Sequence, residues 1–553
     1  MEKNNLEGGV TTDQVNNQVP NARDDADLAA EAAFASDKEV KMTLKEGIKL
    51  YPHAIGWSIL LSMAIIMEGF DVVLIANFFG FPQFAKKYGD QLPDGTYNVS
   101  AKWQTALSNG AYVGEIIGLF INGIVSERYG YRKTMIGSLT VLTGFIFIPF
   151  FAPRIEILLV GGILLGIPWG VFQTLTTAYA SEVCPTALRA YLTTFVNLCW
   201  VIGQLIASSV LRGFLSRQDE WSYRIPFALQ WIWPVPIIIG CIFAPESPWW
   251  LVRQGRIADA EASVRRLTKE GNGVDIQKTV SLMIHTNELE KEASSGTRYI
   301  DCFKGTDRRR TEIACVVWGI QTLCGSGLMG YSTYFLQQAG LPVEQSFNFT
   351  MGQYALGICG TLLSWGLMTK YGRRTLYISG LVALFITLIA IGCLGIPKSN
   401  MGIAIGAALL VFTFIYDVTV GPVCYAIVAE MSTTRLRSKS IVLARNFYNV
   451  MGIINNVITP QLVNVTALNW RGKAGFFWAV SCLFCTIYCY FRLPETSGRP
   501  YIELDVLFEN KVSARHFAKT EVDAATGTIK RAASDVADKD SIEQSDHIER
   551  VSI

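Results

Sequence analysis

The sequence predicts an all-α membrane protein of twelve transmembrane helices, built as two parallel-repeat halves of six. Three observations carry that reading. The 553 residues are 50% hydrophobic and only 17% charged, against about 25% charged in soluble domains. Apolar windows of the length a bilayer requires, ~20 residues, recur along the chain. Charged motifs then repeat between the two halves at nearly one spacing.

In chain order the apolar windows fall at 54–76, 105–125, 134–152, 155–180, 190–212 and 226–244, and then at 313–336, 350–369, 375–396, 402–428, 439–463 and 473–492. Residues 1–45 are polar and acidic and read as a disordered cytoplasmic N-tail, followed by a first six-helix half at 46–245. A hydrophilic loop at 246–312 separates it from the second half at 313–493. Its segments Ala258–Thr268 and Val274–Ala293 have one charged face and predict surface helices. Residues 494–553 form a C-tail, expected to be unstructured beyond about 510.

The repeat rests on three motifs. Glu182-Val-Cys-Pro-Thr-Ala-Leu-Arg189 follows the fourth window, and Glu430-Met-Ser-Thr-Thr-Arg-Leu-Arg437 follows the tenth, 248 residues on. Pro245-Glu246-Ser247 closes the sixth and Pro494-Glu495-Thr496 the twelfth, 249 apart. Tyr129-Gly130-Tyr131-Arg132-Lys133 follows the second and Tyr371-Gly372-Arg373-Arg374 the eighth, 242 apart. A six-span unit repeated in parallel explains all three.

Lys and Arg in the short loops split almost evenly between the two sides. Arg253, Arg256, Arg308, Arg309 and Arg310, flanking the central loop, tip the balance and place it with both termini in the cytoplasm. The sequons at Asn98, Asn348 and Asn464 follow windows one, seven and eleven, all on the other side, and are expected to carry glycans there.

Several classes are excluded. The net charge of +2 gives no electrostatic case for nucleic acid. The twelve cysteines lie mostly in apolar runs without metal-ligand spacing, and the four histidines sit at segment edges, so no metal or cofactor is expected. No nucleophile–base pair points to an enzyme, and no GxxxxGK[ST] loop points to ATP coupling.

Taken in order, Met67-Glu68-Gly69-Phe70-Asp71, Tyr179-Ala-Ser-Glu182-Val-Cys-Pro185, Phe227-Ala-Leu-Gln230-Trp-Ile-Trp233-Pro, Ala244-Pro-Glu246-Ser-Pro248-Trp-Trp-Leu251, Gly330-Tyr-Ser-Thr-Tyr-Phe335 and Ile441-Val-Leu-Ala-Arg445 resemble sugar porters of the major facilitator superfamily. The likeness covers about 42–515 and is strongest to the fungal maltose and α-glucoside permeases. It implies a multi-pass plasma-membrane protein moving a small sugar by alternating access, with protons as the second partner and their gradient as the energy source.

The resemblance also implies that Glu182, Arg189, Glu430 and Arg437 pair with the basic loops holding Glu127, Arg128, Arg132, Arg373 and Arg374. Together with Glu246 and Glu495 these would latch the outward-facing state. Thr369 stands where the family usually carries an acid, which weakens the second latch.

Inside the spans lie Glu68, Asp71, Glu115, Asp417 and one base, Arg445. Each costs ~2.5–3.5 kcal/mol or more at the bilayer centre, so each needs a cavity or a partner. Four acids against one base cannot all be ionised and paired, which suits a carboxyl that takes and releases a proton. Asp71 matches the proton acceptor of proton-coupled porters, with Glu68, Glu115 and Arg445 as companions. Those porters pair the acid with a fourth-span arginine, where this chain has Gly162. Asp417 reads equally as a residue that only bonds its neighbours.

The resemblance puts sugar contacts at Asn197, Gln204, Gln321, Tyr425, Tyr448 and Asn449. Amides and hydroxyls bond sugar hydroxyls and rings cover apolar sugar faces. Gly327, where many monosaccharide porters carry Asn, implies a roomier site. The leading expectation is proton-coupled import of α-glucosides such as maltose. Transport of another sugar, polyol or glycosylated metabolite by uniport or efflux is the alternative. A non-transporting sugar receptor is a third, disfavoured by a tail of only about 60 residues after the last span.

Overall fold

The computed structural model describes residues 42–93, 95–269, 275–294, 298–397, 401–433, 436–497, 501–523 and 528–530. Helices run beyond the apolar windows until a glycine, a proline or an extended residue stops them. Span 1 is Pro52–Phe78, span 2 Ala101–Tyr129, span 3 Tyr131–Phe145 continued by Phe147–Phe151, span 4 Ile155–Val183 and span 5 Thr186–Phe214. Span 6 combines Trp221–Leu229, a tight turn at Gln230–Ile232 and Pro234–Phe243.

In the second half, span 7 is broken into Gly305–Leu323, Ser326–Gly330 and Ser332–Gln338. Span 8 is Val343–Tyr371, span 9 Arg373–Leu394, span 10 Gly402–Val418 with Val420–Met431, span 11 Arg437–Val463 and span 12 Ala474–Arg492.

By length and composition, eight of these helices among the described residues are apolar enough to cross a membrane: spans 1, 3, 4, 5, 6, 9, 10 and 12. Spans 2, 7, 8 and 11 fall short of that hydropathy and each carry buried polar groups, among them Glu115, Gln321, Gln353, Arg445 and Asn449. A helix whose polar residues face protein or a cavity spans with a lower mean hydropathy than one facing lipid.

Small residues set the closest approaches. A side chain at Gly114 or Gly118 of span 2 would strike the backbone of span 4 at Ile163 and Ile167, and one at Gly166 or Gly170 would strike span 2 at Ala111 and Glu115. Gly69 of span 1 and Gly203 of span 5 meet the opposite backbone at Trp200 and Ile66 in the same way. This small-residue packing draws spans 1, 2, 4 and 5 together around their charged positions.

The connecting loop forms the helices Pro248–Arg253, Ile257–Leu267 and Ile276–Ser294, the last two within a few residues of expectation. The expectation for the tails is met differently. Residues 1–41, 524–527 and 531–553 lie outside the described residues, but the described stretch 511–523 is not the unstructured segment its polarity suggested. Arg310, 3% exposed, pairs with Asp505 at 2.7 Å and stacks on Phe508. Arg309 donates to the Val512 carbonyl at 2.9 Å and lies over Phe508 and Phe517. Phe517 is fully buried. A few aromatic anchors against two cations hold down a segment that is polar on average.

The turns into spans 3 and 9 are built alike. Gly130 has φ 88° and Gly372 φ 79°. The Glu246 carboxylate accepts from the N–H groups of Tyr131 at 3.0 Å and Arg132 at 3.2 Å. Glu495 does the same for Arg373 at 2.8 Å and Arg374 at 3.1 Å. Each acid thus satisfies the free donors of a helix start, where the helix dipole also favours it.

A Cβ at Gly130 would sit 2.5 Å from Glu246 Oε2, and one at Gly372 would sit 2.7 Å from Glu495 Oε2. Gly372→Ala should therefore both strain a left-handed turn and displace the cap. The expected loss is about 1–3 kcal/mol, read as a lower melting temperature of the purified protein in detergent. An unchanged melting temperature would mean that the carboxylate moves aside freely.

Candidate functional site

Close packing of spans 1, 2, 4 and 5 brings Glu68 and Glu115 against the middle of span 4. Gln173 of that span donates to Glu68 Oε1 at 2.5 Å, and Trp200 of span 5 donates to the same oxygen at 3.2 Å. From the other half, Arg445 Nε of span 11 donates to Gln173 Oε1 at 2.8 Å. One glutamine amide, using both its donor and its acceptor, therefore joins a carboxylate of the first half to the only cation among the charges singled out within the spans. Glu115 stands within electrostatic reach of Arg445 and Gln173. Glu68, Glu115 and Arg445 are all buried.

The arginine is framed by rings. Its guanidinium lies 4.5 Å from the Tyr448 ring centroid and 5.5 Å from that of Trp318. Trp318 meets Tyr425 edge-on at 5.5 Å. Tyr112 of span 2 reaches Tyr448 across the interface between halves. Rings packed on a planar cation hold its fork in one orientation and leave edges free for a ligand.

Asp71 is set apart. It is 2% exposed, neighbours Glu68, and neither carboxylate oxygen has a hydrogen-bond donor among the described residues. The Arg445 network reaches Glu68 and Glu115 and passes Asp71 by. Asp417 lies elsewhere, packed where a Cβ at Gly357 of span 8 would touch its Oδ2. It belongs to the contact between spans 8 and 10.

The expected sugar contacts divide. Asn449 is fully buried and, among the described residues, neither atom of its amide has a partner, and Asn197 Nδ2 is likewise unpaired there. Such groups stand ready for a polar ligand. Gln204 is buried in span 5. Gln321 is partly committed, since its Nε2 donates to the Gly421 carbonyl at 2.8 Å, next to the break in span 10. Tyr425 and Tyr448 line the arginine.

The space beside Gly327 is filled in this structure. A side chain there would strike Asn455 Oδ1 and Thr459 Oγ1 of span 11, so those groups fill the space. Gly162 does not face the charge cluster as an arginine would; a Cβ there finds only the Leu107 carbonyl of span 2, at 4.0 Å. Three turns further along the same helix, Gln173 makes the polar link. An amide inside an apolar run reads as packing glue, so sequence alone passed over Gln173; Trp200, Trp318 and Tyr112 were missed for the same lack of signal.

The charges of the repeated loop motifs pair within the second half and, in the first, with the connecting loop. Arg373 and Glu430 form an ion pair at 2.8 Å, with Thr496 also donating to Glu430. Glu182 was expected to meet the arginines of the basic loop. It pairs instead with Arg253 of the connecting loop at 2.8 Å, and accepts from Tyr131 and Ser247. Arg189 turns to the Ser181 carbonyl, Arg128 lies over Tyr129, and Glu127 offers its backbone carbonyl to Trp250. Arg374 binds the carbonyls of Leu493 and Tyr490. Burial pushes the Glu246 carboxyl up from the ordinary range, opposed by the N–H groups of Ser247, Arg132 and Tyr131. The side chain of Arg437 lies outside the described residues.

On the opposite side the halves meet directly. Thr333 donates to Asn77 at 2.8 Å, Gln337 to the Gly80 carbonyl at 2.8 Å and Tyr331 to Ser108 at 2.7 Å, while Arg212 pairs with Glu344. These bonds close the interface at the end that the sequons mark. Of the expected latch, the Arg373–Glu430 pair is thus formed in a structure whose sequon-bearing side is shut. Of the sequon asparagines, Asn348 is exposed, whereas Asn98 and Asn464 are buried.

Residues 57–508 match the family model described as sugar (and other) transporter. A general alpha-glucoside permease of Saccharomyces cerevisiae is 41% identical over 546 residues, covering 98% of this chain and 88% of the permease. A maltose permease of the same organism is 41% identical over 544 residues, covering 96% and 88%. Among solved structures, a partially occluded, inward-open xylose transporter from E. coli aligns with TM-score 0.68 at 17% identity, covering 81% of this chain and 100% of that one. A proton:xylose symporter of the major facilitator superfamily bound to 6-bromo-6-deoxy-D-glucose gives 0.68 at 20% identity, covering 83% and 99%. The relatives are permeases rather than enzymes. With two halves of six spans, a polar centre between them and a family match over most of its length, the chain belongs to the sugar transporter family of the major facilitator superfamily, as a multi-span membrane transporter.

Proposed function

We propose that this protein imports α-glucosides such as maltose across the plasma membrane in symport with protons, by alternating access, with both termini cytoplasmic. The observation that best supports it is the buried chain Arg445–Gln173–Glu68, which crosses the interface that alternating access must open and close. Rocking the halves apart pulls Arg445 from Gln173 and leaves Glu68 and Glu115 without their cation. A proton taken up among the neighbouring carboxyls, Asp71 beside Glu68 included, lowers that penalty, so the protonated carrier reorients more readily than the bare one.

Sugar enters the same balance. Asn197, Asn449, Gln204 and the free face of Gln321 supply hydrogen bonds, and Tyr425, Tyr448 and Trp318 supply ring surface. Hydroxyls that satisfy the unpaired amides gain most in a site that is dry and otherwise unsatisfied. Glu182–Arg253 and Glu430–Arg373 keep each half rigid while it rocks.

Labelled maltose and glucose uptake in transporter-null cells, with and without a protonophore, tests the proposal. Maltose should accumulate above its outside concentration, collapse to about equal concentrations with protonophore, and enter more slowly as external pH rises, because the loaded, protonated carrier becomes scarce. Uptake indifferent to both pH and protonophore would leave facilitated diffusion. Accumulation of glucose but not maltose would keep symport and discard the α-glucoside.

A further inference from the structure

Two of the three sequons take part in a contact that glycosylation would destroy. Asn98 lies in the connection between spans 1 and 2, and Asn464 directly follows span 11, so one belongs to each half. Asn98 is 7% exposed and Asn464 fully buried. Asn98 Nδ2 donates to Asn464 Oδ1 at 3.0 Å, and Asn464 Nδ2 donates to the Val99 carbonyl at 3.0 Å. Asn98 Oδ1 accepts from the hydroxyl of Tyr334, in the last segment of span 7, at 3.1 Å.

The sequon threonine is absorbed as well. Thr466 donates from both its backbone N–H and its hydroxyl to Asn464 Oδ1, at 2.9 Å each, and its hydroxyl receives the Ala101 N–H at 3.4 Å. Both amides therefore have their oxygen and their nitrogen bonded, in a buried patch that joins three pieces of chain from two halves. Gln104 closes the patch from below by donating to the Val99 carbonyl at 3.1 Å.

We propose that Asn98 and Asn464 are a gate pair that holds this side of the transporter shut for part of its cycle, and that neither carries a glycan in the working protein. This rests on the alternating-access reading above. Nδ2 is the atom a glycan would occupy, and in both residues it donates across the interface. A sugar on either nitrogen would place a bulky solvated group between Val99 and Asn464, where no room exists. The contact has the character a gate requires. Its bonds join the halves, they are lost together when the halves part, and the two amides are resatisfied by water once exposed. Being uncharged, the pair opens without the desolvation swing of a buried ion pair.

The test uses full-length protein carrying Ser108→Cys, a position on span 2 that bonds Tyr331 of span 7 in the closed structure. Labelling from outside by an impermeant maleimide reports the open fraction. Asn98→Ala and Asn464→Ala each remove two bonds across the interface and should each raise the labelling rate at least about fivefold, the shift that loss of a single such bond gives a two-state equilibrium. The double variant should label faster than either single one but by less than the product of the two effects, because the singles share the Asn98–Asn464 bond and differ in the bonds to Tyr334 and Val99. Glycopeptide mapping of the plasma-membrane protein should find Asn98 and Asn464 unmodified.

Unchanged labelling in both single variants overturns the gate pair, and so does a glycan on either residue of protein that transports. If the alanine variants do not reach the membrane, Asn98→Cys with Asn464→Cys decides. A reducible bifunctional thiol reagent should stop uptake and a reductant should restore it, with either single cysteine unaffected; uptake that continues in the cross-linked protein overturns the proposal. Failure of symport itself is read separately, since protonophore-insensitive uptake with normal gate labelling counts against proton coupling and leaves the gate pair standing.

Discussion

Arg445→Leu should lower uptake by two to three orders of magnitude at unchanged surface abundance. The change removes the cation that faces Glu68 through Gln173 and lies near Glu115, together with the group that stacks on Tyr448 and Trp318. Stripping the partner from a buried charge costs about 3–5 kcal/mol, which corresponds to a rate loss of roughly a hundredfold to a few thousandfold. Arg445→Lys keeps the charge but loses the planar fork that both bonds the Gln173 amide and lies over the Tyr448 and Trp318 rings, so it should recover only a small part of the activity.

A second substitution separates charge from packing. Adding Glu115→Gln to Arg445→Leu takes away one of the uncompensated carboxyls and should restore surface abundance more than it restores transport. Labelled maltose uptake, normalised to surface protein, reads all of these. Normal accumulation by Arg445→Leu would sink the reading of this cluster as the coupling site.

How much of this was legible beforehand follows from which signals are local. Span positions came from hydropathy, and the charged motifs at 182, 246, 373, 430 and 495 came from the repeat, because both are written in consecutive residues. Who pairs with whom is not. Glu182 lies seven residues from Arg189, yet the chain turns Arg189 back to Ser181 and brings Arg253 in from the connecting loop. The capping of Tyr131 and Arg373 by Glu246 and Glu495 was likewise invisible, although the two glycines before those helices are its mark.

At the centre, five charges could be found by their cost in a bilayer, but Gln173, which joins two of them, carries no charge and no motif. The surroundings of Gly327 were hidden for a related reason. A missing side chain reads as space in one dimension, whereas in three dimensions Asn455 and Thr459 occupy it. The sequons show the same limit from the other side, since a motif that marks a surface loop can fold into an interface when its own hydroxyl and amide find partners there.

Asp71→Asn should abolish uphill accumulation, bringing the inside-to-outside ratio to about 1, while exchange of labelled for unlabelled maltose continues. The reason lies in the contrast between Asp71 and Glu68, one turn apart on span 1. Glu68 has two donors, Gln173 and Trp200, and the ionised form is the one such donors support. Asp71 has none among the described residues, and an ionised carboxylate buried without a donor would cost several kcal/mol. In the state seen here, with the sequon-bearing side shut, Asp71 is therefore the carboxyl suited to carry the proton, and Glu68 the one suited to feel its arrival or loss.

Asparagine at 71 keeps the size and the hydrogen-bonding capacity of the protonated acid but cannot release a proton. The variant carrier should then reorient whether or not the gradient is present, and its residual transport should lose its dependence on external pH. Glu68→Gln should behave differently: Gln173 and Trp200 retain an acceptor, but the charge facing Arg445 is gone, so the apparent affinity for sugar and the maximal rate should both change. Measuring accumulation, exchange and pH dependence side by side in the two variants distinguishes the roles. Accumulation that survives in Asp71→Asn with its pH dependence intact would rule out Asp71 as the coupling carboxyl, and if Glu68→Gln alone loses accumulation the proton belongs to Glu68.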